Sequence, residues 1–155
     1  MTDSMPTAAE LLGSRRRVLV TGGAGFIGGA VVRRLLKESE AIVFNLDKMG
    51  YASDLTSIEA VLSELGERAE QRHVLQRVDL ADAKAVREAV KAADPDLVMH
   101  LAAESHVDRS IAGPGVFIES NVTGTYNLLQ AVREHVEGLS GERQENFRLH
   151  HISTD

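Results

Sequence analysis

The sequence predicts an α/β fold of the Rossmann-like, doubly wound type, with an incomplete parallel sheet of about five strands in the order 3-2-1-4-5. Short apolar segments without alternating polar residues recur along the chain, as in strands that are buried on both faces. Segments with helical spacing of apolar residues lie between them, and a glycine-rich turn joins the first strand to a helix. Regular alternation of strand and helix implies right-handed crossovers and therefore a parallel sheet.

The first strands lie on either side of the glycine-rich turn. Val18–Val20 is a short apolar run and is interpreted as the first strand. From Phe26 to Glu38 apolar residues recur every three or four positions and charged residues occupy the other face, which predicts an amphipathic helix. Ala41–Leu46 is again apolar and ends at Asp47, so it is interpreted as the second strand.

The middle of the chain repeats the same alternation. Ser57–Glu70 has apolar residues at helical spacing, and His73–Val78 is interpreted as the third strand, which is closed by Asp79. Asp82 is placed to cap a helix over Ala83–Ala93, because a carboxylate accepts hydrogen bonds from the free N–H groups of a first turn.

The last part of the chain predicts two further strands and a long helix. Leu97–Leu101 is the fourth strand, and Pro114 opens a helix that extends to about Val136. The polar segment 137–146 is interpreted as a loop, and Phe147–Ile152 as the fifth strand.

Two regions follow from this interpretation. Residues 1–15 have weak periodicity and are interpreted as a flexible N-terminal extension with one helical turn at Ala8–Leu12. Residues 16–155 contain all of the predicted strands and are interpreted as the N-terminal part of a Rossmann-like domain. A strand at the end of the sequence, with no helix after it to cover its sheet face, is expected of a piece of a longer polypeptide.

Composition excludes several classes of function. The chain has 155 residues, 43% of them apolar, a net charge of −6 and no cysteine. An acidic chain without a basic tract predicts no nucleic-acid partner, and the lack of thiols excludes disulfides and thiolate metal sites. Histidines and carboxylates lack the spacing of metal ligands, so no metal is expected. Without a membrane-spanning run or a signal-like segment, the expected location is the cytoplasm, with no membrane partner.

The glycine-rich turn predicts a phosphate-binding loop. Gly22, Gly25 and Gly28 form a G-x-x-G-x-x-G pattern between the first strand and the first amphipathic helix. Glycines here permit a tight turn, let backbone approach a pyrophosphate and pack the helix on the sheet. The helix begins at Phe26 and Ile27, where free N–H groups would face the phosphates.

An acidic residue after the second strand indicates which dinucleotide would bind. Asp47 lies 19 residues after Gly28, which matches the spacing of a carboxylate that binds the ribose hydroxyls. Such a carboxylate repels a 2′-phosphate and therefore favours NAD, whereas the neighbouring Lys48 tolerates a phosphate and opposes this preference. Asp79 and Leu80, after the third strand, are placed to reach the adenine, and a plain turn role for either acid remains the alternative.

Four segments resemble a known family: TGGAGFIG at 21–28, HLAAESHVDRS at 100–110, NVTGTYNLL at 121–129 and HISTD at 151–155. Together they resemble the extended short-chain dehydrogenase/reductases, and within these the family of dTDP-glucose 4,6-dehydratases, over residues 16–155. The glycine turn and NVTGT are shared across the larger family, whereas AAESHVDRS together with STD is more specific.

The resemblance implies a reaction and roles for individual residues. The family is a class of NAD-dependent lyases that convert dTDP-glucose to dTDP-4-keto-6-deoxyglucose, and its full-length members form homodimers. By this resemblance Asp155 is the general acid that protonates the leaving 6-hydroxyl, while Thr154 and Ser105 contact the sugar. Besides the three glycines, the implied cofactor contacts are Phe26, Ile27, Asp47, Lys48, Met49, Gly50, Asp79, Leu80, Leu101, Ala102, Ala103, Ser105 and Ser120.

By this resemblance residues 16–155 are the N-terminal part of an NAD-binding Rossmann domain, and the sequence lacks two elements of the larger family, which are its substrate domain and its Tyr-x-x-x-Lys pair. This pair exchanges the C4 hydroxyl proton and holds the nicotinamide ribose, but here Tyr51 is followed four residues later by Leu55, and Tyr126 by Gln130. We therefore expect the 155-residue chain to hold cofactor residues without turning over substrate. Two alternatives stay open: an NAD-binding half-Rossmann module without catalysis, and a 4,6-dehydratase for a UDP- or CDP-linked sugar.

Overall fold

Five parallel strands form a sheet in the computed structural model of the chain, which describes residues 5–105, 111 and 113–153. The strands are β1 (Arg17–Thr21), β2 (Ile42–Asp47), β3 (His73–Arg77), β4 (Leu97–His100) and β5 (Arg148–His151). The helices are α1 (Ala8–Leu12), α2 (Phe26–Glu38), α3 (Thr56–Leu65), α4 (Glu67–Glu70), α5 (Ala83–Ala93), α6 (Pro114–Phe117), α7 (Gly124–Gly138) and α8 (Gly141–Asn146), and a π-helical segment, Ile118–Thr123, joins α6 to α7. The strand order is β3-β2-β1-β4-β5, which confirms the predicted fold class and topology.

Strand β1 is the centre of the sheet and pairs with a parallel neighbour on each side. Leu19 is opposite Phe44 of β2 and Val98 of β4. Val18, Leu19 and Val20 are fully buried, because helices cover both faces of the sheet at this point. A strand buried on both faces has no polar face, which is why its sequence shows no alternation.

The two faces of the sheet contribute to two separate hydrophobic clusters. Leu19 of β1 packs with Val86 of α5 and Leu128 of α7. Val18 and Val20, which point to the other face, pack with residues of α1, α2 and α3. Successive side chains of one strand therefore enter different clusters, as the strand period of two requires.

The N-terminal segment differs from the flexible extension that was expected over residues 1–15. The expected helical turn is present as α1, but Ala8 and Leu12 are buried against the cluster around α2. Thr7 forms a capping box with Glu10, and the Ala8 N–H donates to Glu38 of α2 at 2.9 Å. These contacts, which weak apolar periodicity does not signal, attach residues 7–12 to the domain.

Two other segments depart from the prediction. The helix expected over 57–70 is broken at Gly66, where a φ of +78° ends α3 and starts α4. The loop expected over 137–146 is wrong, since it contains α8. Arg143 in this helix bonds to Asp94 (3.2 Å) and Asp96 (3.0 Å), so polar contacts rather than an apolar stripe hold it in place.

Strand β5 is the most exposed strand of the sheet. Arg148, His150 and His151 are exposed, and Leu149 is half-buried against the cluster that contains Leu19. Among the described residues no helix has both the length and the apolar content needed to cross a membrane.

Candidate functional site

The carboxyl ends of β1, β2 and β4 meet at one edge of the sheet and define the candidate site. Thr21 ends β1, Asp47 ends β2 and His100 ends β4. In open α/β sheets, ligands bind at the carboxyl edge between two neighbouring strands whose following helices lie on opposite faces of the sheet. Strands β1 and β4 are such a pair, because α2 packs on one face and α7 on the other. Most predicted site residues of the described chain lie near this edge because they follow the end of a strand or start the helix after it, whereas Ser120 lies in the π-helical segment.

The glycine turn lies directly against the backbone that follows β4. Gly22 has a φ of +70°, and a Cβ on it would lie 2.7 Å from the Cα of Ala102. A Cβ on Gly28 would overlap the carbonyl of Gly22, and one on Gly23 would overlap the side chain of Asn45. The site therefore also needs a glycine at position 23, which the G-x-x-G-x-x-G pattern does not include. The two consecutive glycines, Gly22 and Gly23, are the sequence feature that could have indicated this.

The N-terminus of α2 opens onto the same edge. Gly25 is its N-cap residue, and within the described chain no side chain caps this end of the helix. Phe26 is 97% exposed and Ile27 is 63% exposed. Free N–H groups at a helix N-terminus attract anions, so the geometry suits a pyrophosphate.

Asp47 is buried and organises the segments around the turn. One carboxylate oxygen accepts a hydrogen bond from the Ala24 N–H at 3.0 Å. The other accepts from the Met49 N–H at 2.8 Å and from the Ser53 hydroxyl at 2.7 Å. The bond to Met49 stabilises its left-handed conformation, with φ at +57°. The predicted ribose-binding carboxylate thus also has the structural turn role that was the alternative.

Lys48 forms an ion pair across the edge of the sheet. Its Nζ donates to Glu104 Oε1 at 2.8 Å and lies 3.4 Å from the Ser120 hydroxyl. Burial disfavours the charged form of Lys48, but the hydrogen bond and charge of Glu104, together with the charges of Asp79 and Asp47, outweigh it and raise the pKa of Lys48. Sequence reasoning named Lys48 and Ser120 but not Glu104.

The π-helical segment places Ser120 and Asn121 at the site. Asn121 accepts a hydrogen bond from the Glu104 N–H at 2.8 Å and donates to the Glu104 carbonyl at 2.9 Å. A π-turn widens the helix locally and is often found at functional sites. Here it positions the two polar side chains beside the segment that follows β4.

The residues after β3 occupy different environments. Asp79 is exposed, and its carboxylate accepts from the Ala81 N–H at 3.0 Å. Leu80 is buried, its Cβ faces Gly124, and its carbonyl accepts from Asn127 at 2.8 Å. The structure therefore places Leu80 mainly in the core, while the side chain of Asp79 is accessible at the surface.

His100 joins β1, β4 and α7 beneath the site. Its Nδ1 lies 2.6 Å from the Thr21 hydroxyl, and its Nε2 lies 2.9 Å from the Thr125 hydroxyl. Burial, with a smaller effect from the neighbouring His151, lowers the pKa of His100 to about 4. The ring is therefore neutral at physiological pH, and its two nitrogens connect β1 with α7 through hydrogen bonds.

The other predicted site residues fall into two groups. Met49, Leu101 and Ala102 are half-buried at the edge of the sheet, and Gly50, Ala103 and Ser105 are exposed there. Thr154 and Asp155 lie outside the described residues. Within the described part of the chain, no group of three or more His, Asp and Glu side chains is arranged to hold a metal ion.

Comparison with known proteins adds a family to this geometry. Residues 19–155 match the family model described as GDP-mannose 4,6 dehydratase. A dTDP-glucose 4,6-dehydratase from Shigella flexneri is 48% identical over 139 residues, covering 90% of this chain and 37% of that protein. One from Neisseria meningitidis serogroup B is 46% identical over 140 residues, covering 90% and 38%. The chain thus spans a little over a third of the length of these curated relatives.

Solved structures show the same similarity. DesIV, a dTDP-glucose 4,6-dehydratase from Streptomyces venezuelae with NAD and TYD bound, is 41% identical, with a TM-score of 0.64 over 77% of this chain and 36% of its own. A UDP-glucose 4-epimerase from Thermus thermophilus in complex with NAD is 35% identical, with a TM-score of 0.62 over 77% of this chain and 34% of its own.

The tight turn predicts different outcomes for two adjacent glycines. Gly28→Ala should destabilise the chain by about 1–3 kcal/mol, because its Cβ would overlap the Gly22 carbonyl. Gly29→Ala is the matched control: its Cβ would make ordinary contacts at 3.5 Å or more, and alanine favours helix by up to about 1 kcal/mol. Urea unfolding measures both, and equal stabilities of the two variants would contradict the described turn.

The buried histidine predicts a pH dependence. The pKa of His100 is about 4 in the folded chain against an ordinary 6.5, so the unfolded chain takes up this proton first as pH falls. Stability from this group is present above about pH 6.5 and lost towards pH 4, a decrease of about 2 kcal/mol between pH 7 and pH 5.

Urea unfolding at the two pH values measures this decrease. His100→Gln should show a smaller decrease, whereas His150→Gln, at an exposed position of β5, should keep the wild-type decrease. An unchanged decrease in His100→Gln would show that another group is responsible.

Proposed function

The chain belongs to the GDP-mannose 4,6 dehydratase family, and from this membership we propose that it forms the NAD-binding portion of a dTDP-glucose 4,6-dehydratase. The observation on which the proposal depends is the edge formed by the glycine turn, the uncapped N-terminus of α2 and Asp47. This edge has the form of a dinucleotide site, and relatives solved with NAD have the same fold.

The residues of the edge fit each part of NAD. The cradle formed by Gly22, Gly23 and Gly28 would be filled by any Cβ, so backbone can approach a pyrophosphate closely. The N–H groups at the start of α2 would bind its oxygens. Asp47 accepts three hydrogen bonds within the described chain, and a carboxylate can accept about four, so it has capacity for a ribose hydroxyl.

The proposed reaction is the loss of water from dTDP-glucose to give dTDP-4-keto-6-deoxyglucose. NAD held by the glycine turn and Asp47 would supply the hydride acceptor and donor that oxidation at C4 and reduction at C6 require. In this proposal Asp155 protonates the leaving 6-hydroxyl, and Thr154 and Ser105 hold the sugar by hydrogen bonds. A C4 ketone makes the C5 proton acidic, so elimination needs a nearby base as well as this acid. The pathway served would be deoxysugar biosynthesis, and location in the cytoplasm stays a prediction.

We further propose that the complete enzyme is a homodimer paired through the helix after β4. Ile118, Val122, Tyr126 and Leu129 are between 42% and 60% exposed and follow helical spacing along the π-segment and α7. An apolar stripe of this kind favours burial against another helix.

Binding of NAD tests the cofactor part of the proposal. Titration of the chain with NAD by calorimetry should show binding, and Asp47→Asn should raise Kd about tenfold by weakening the contact with the ribose hydroxyls. Asp54→Asn is the matched control, because the hydrogen bonds of this exposed carboxylate within the described residues are local, to Thr56. Circular dichroism of both variants separates lost binding from lost fold, and a folded wild-type chain that does not bind NAD would contradict the proposal.

Turnover distinguishes the enzyme from a non-catalytic NAD-binding module. The 155-residue chain should give no 4-keto product from dTDP-glucose and NAD, because neither Tyr51 nor Tyr126 is followed by lysine four residues later. A polypeptide that adds the corresponding C-terminal portion of a relative should give this product, and should prefer dTDP-glucose to UDP-glucose. Product from the 155-residue chain would overturn the first expectation, and no preference would overturn the choice of substrate.

A further inference from the structure

We infer that Glu104 is a specificity-determining residue that favours NAD over NADP by engaging Lys48 and withholding that cation from a 2′-phosphate. The inference rests on the proposed function, since it concerns the adenosine end of the same site. It assigns a cofactor role to a side chain outside the glycine turn and outside the acid that follows β2.

Two adjacent residues of the site predict opposite cofactor preferences, and the ion pair of Lys48 with Glu104 removes this conflict. Asp47 disfavours a 2′-phosphate, but Lys48 directly after it is the kind of cation that binds one. In the structure the Lys48 ammonium is 2.8 Å from Glu104 Oε1 and is also near the Ser120 hydroxyl. A lysine whose charge is already balanced by a carboxylate attracts a phosphate less strongly than a free lysine does.

The burial of the pair makes its charges effective. The Glu104 side chain is 11% exposed and the Lys48 side chain is 37% exposed. In the ion pairs of Lys37 with Glu64 and of Lys84 with Glu88, by contrast, every side chain is at least 44% exposed. Water and salt screen the Lys48–Glu104 pair less than these, so the removal of Glu104 changes the local potential more.

The backbone of Glu104 is held in place from the opposite side. Asn121 bonds to both the N–H and the carbonyl of Glu104, at 2.8 Å and 2.9 Å, and the π-helical segment presents Asn121 to it. Because two hydrogen bonds fix this residue, its carboxylate is directed at Lys48 by the fold. Asn121 is therefore a positioning residue for the pair.

The balance of charge around Lys48 then excludes a second phosphate. The carboxylates of Asp47, Asp79 and Glu104 all act on this one ammonium. A 2′-phosphate brings a charge between about −1.5 and −2, and among the described residues it would meet these three carboxylates around Lys48. Like charges brought together in this way weaken binding strongly.

The test compares the dissociation constants of NAD and NADP by calorimetry on the whole chain. Glu104→Gln keeps the shape of the side chain and removes its charge, so the ratio of the NADP Kd to the NAD Kd should fall about tenfold. Glu64→Gln is the matched control: it also removes a carboxylate that pairs with a lysine at 2.9 Å, but near the other end of α2, and should leave the ratio unchanged.

A double variant tests whether Glu104 changes the cofactor preference through Lys48. In Glu104→Gln with Lys48→Met the freed cation is also gone, so the ratio should return towards the wild-type value. Glu104→Ala also removes the carboxylate that pairs with Lys48, and it replaces the glutamine variant if that variant does not fold.

The outcomes separate this inference from the proposed function. Folded Glu104 variants with a wild-type ratio, or a double variant that keeps the gain in NADP binding, would overturn the inference while NAD binding stands. A wild-type chain that binds neither cofactor would overturn the proposed function and, with it, the inference.

Discussion

The rest of the site depends on the close approach of Gly22 to the backbone that follows β4. With Ala102 only 2.7 Å from where a Cβ would lie, this contact exists only for glycine. The approach lets the Ala102 N–H donate to the Thr21 hydroxyl at 3.2 Å, while the Gly22 N–H donates to the Leu46 carbonyl at 2.8 Å. One residue without a side chain therefore lets the ends of three strands be joined at a single point.

A second set of contacts continues from this point to the helix beyond β4. His100 connects Thr21 to Thr125 of α7, and Asn121 connects the π-helical segment to Glu104. Both polar side chains bridge the strand and the helix on the face opposite α2. The helix that presents Ser120 is thus fixed relative to the glycine turn by hydrogen bonds, in addition to the packing of Leu128 in the core.

The fold was predictable because its signals are local and periodic. The apolar run of β1 and the helical spacing of α2 follow from burial on two faces and on one face, and both are visible directly in the sequence. The helix α8 was missed because Arg143 is held by Asp94 and Asp96, which are distant in sequence. The capping of α1 was missed for a similar reason, since the burial of Leu12 depends on where α2 lies.

The same distinction holds within the site. Asp47 could be found by its spacing from Gly28, because the length of one helix fixes that spacing. Its hydrogen bond to Ala24 and the ion pair of Lys48 with Glu104 depend on loop paths that no spacing rule specifies. A residue such as Glu104 therefore becomes visible only when the end of β4 is placed beside the end of β2.

The described edge of the sheet has two electrostatically different parts, the glycine turn and the ends of β2 and β4. At the glycine turn the N–H groups and the dipole of α2 favour a pyrophosphate, and the described structure brings no acidic side chain to cap that helix. At the ends of β2 and β4, Glu104 pairs with the ammonium of Lys48, and the charge of Asp47 acts on the same ammonium. The free backbone N–H groups of the turn attract the pyrophosphate of the proposed cofactor. The carboxylates at the ends of β2 and β4 repel a phosphate at the ribose, which lies further along the same molecule. A site built in this way selects an anionic ligand by the position of its charge rather than by its total charge.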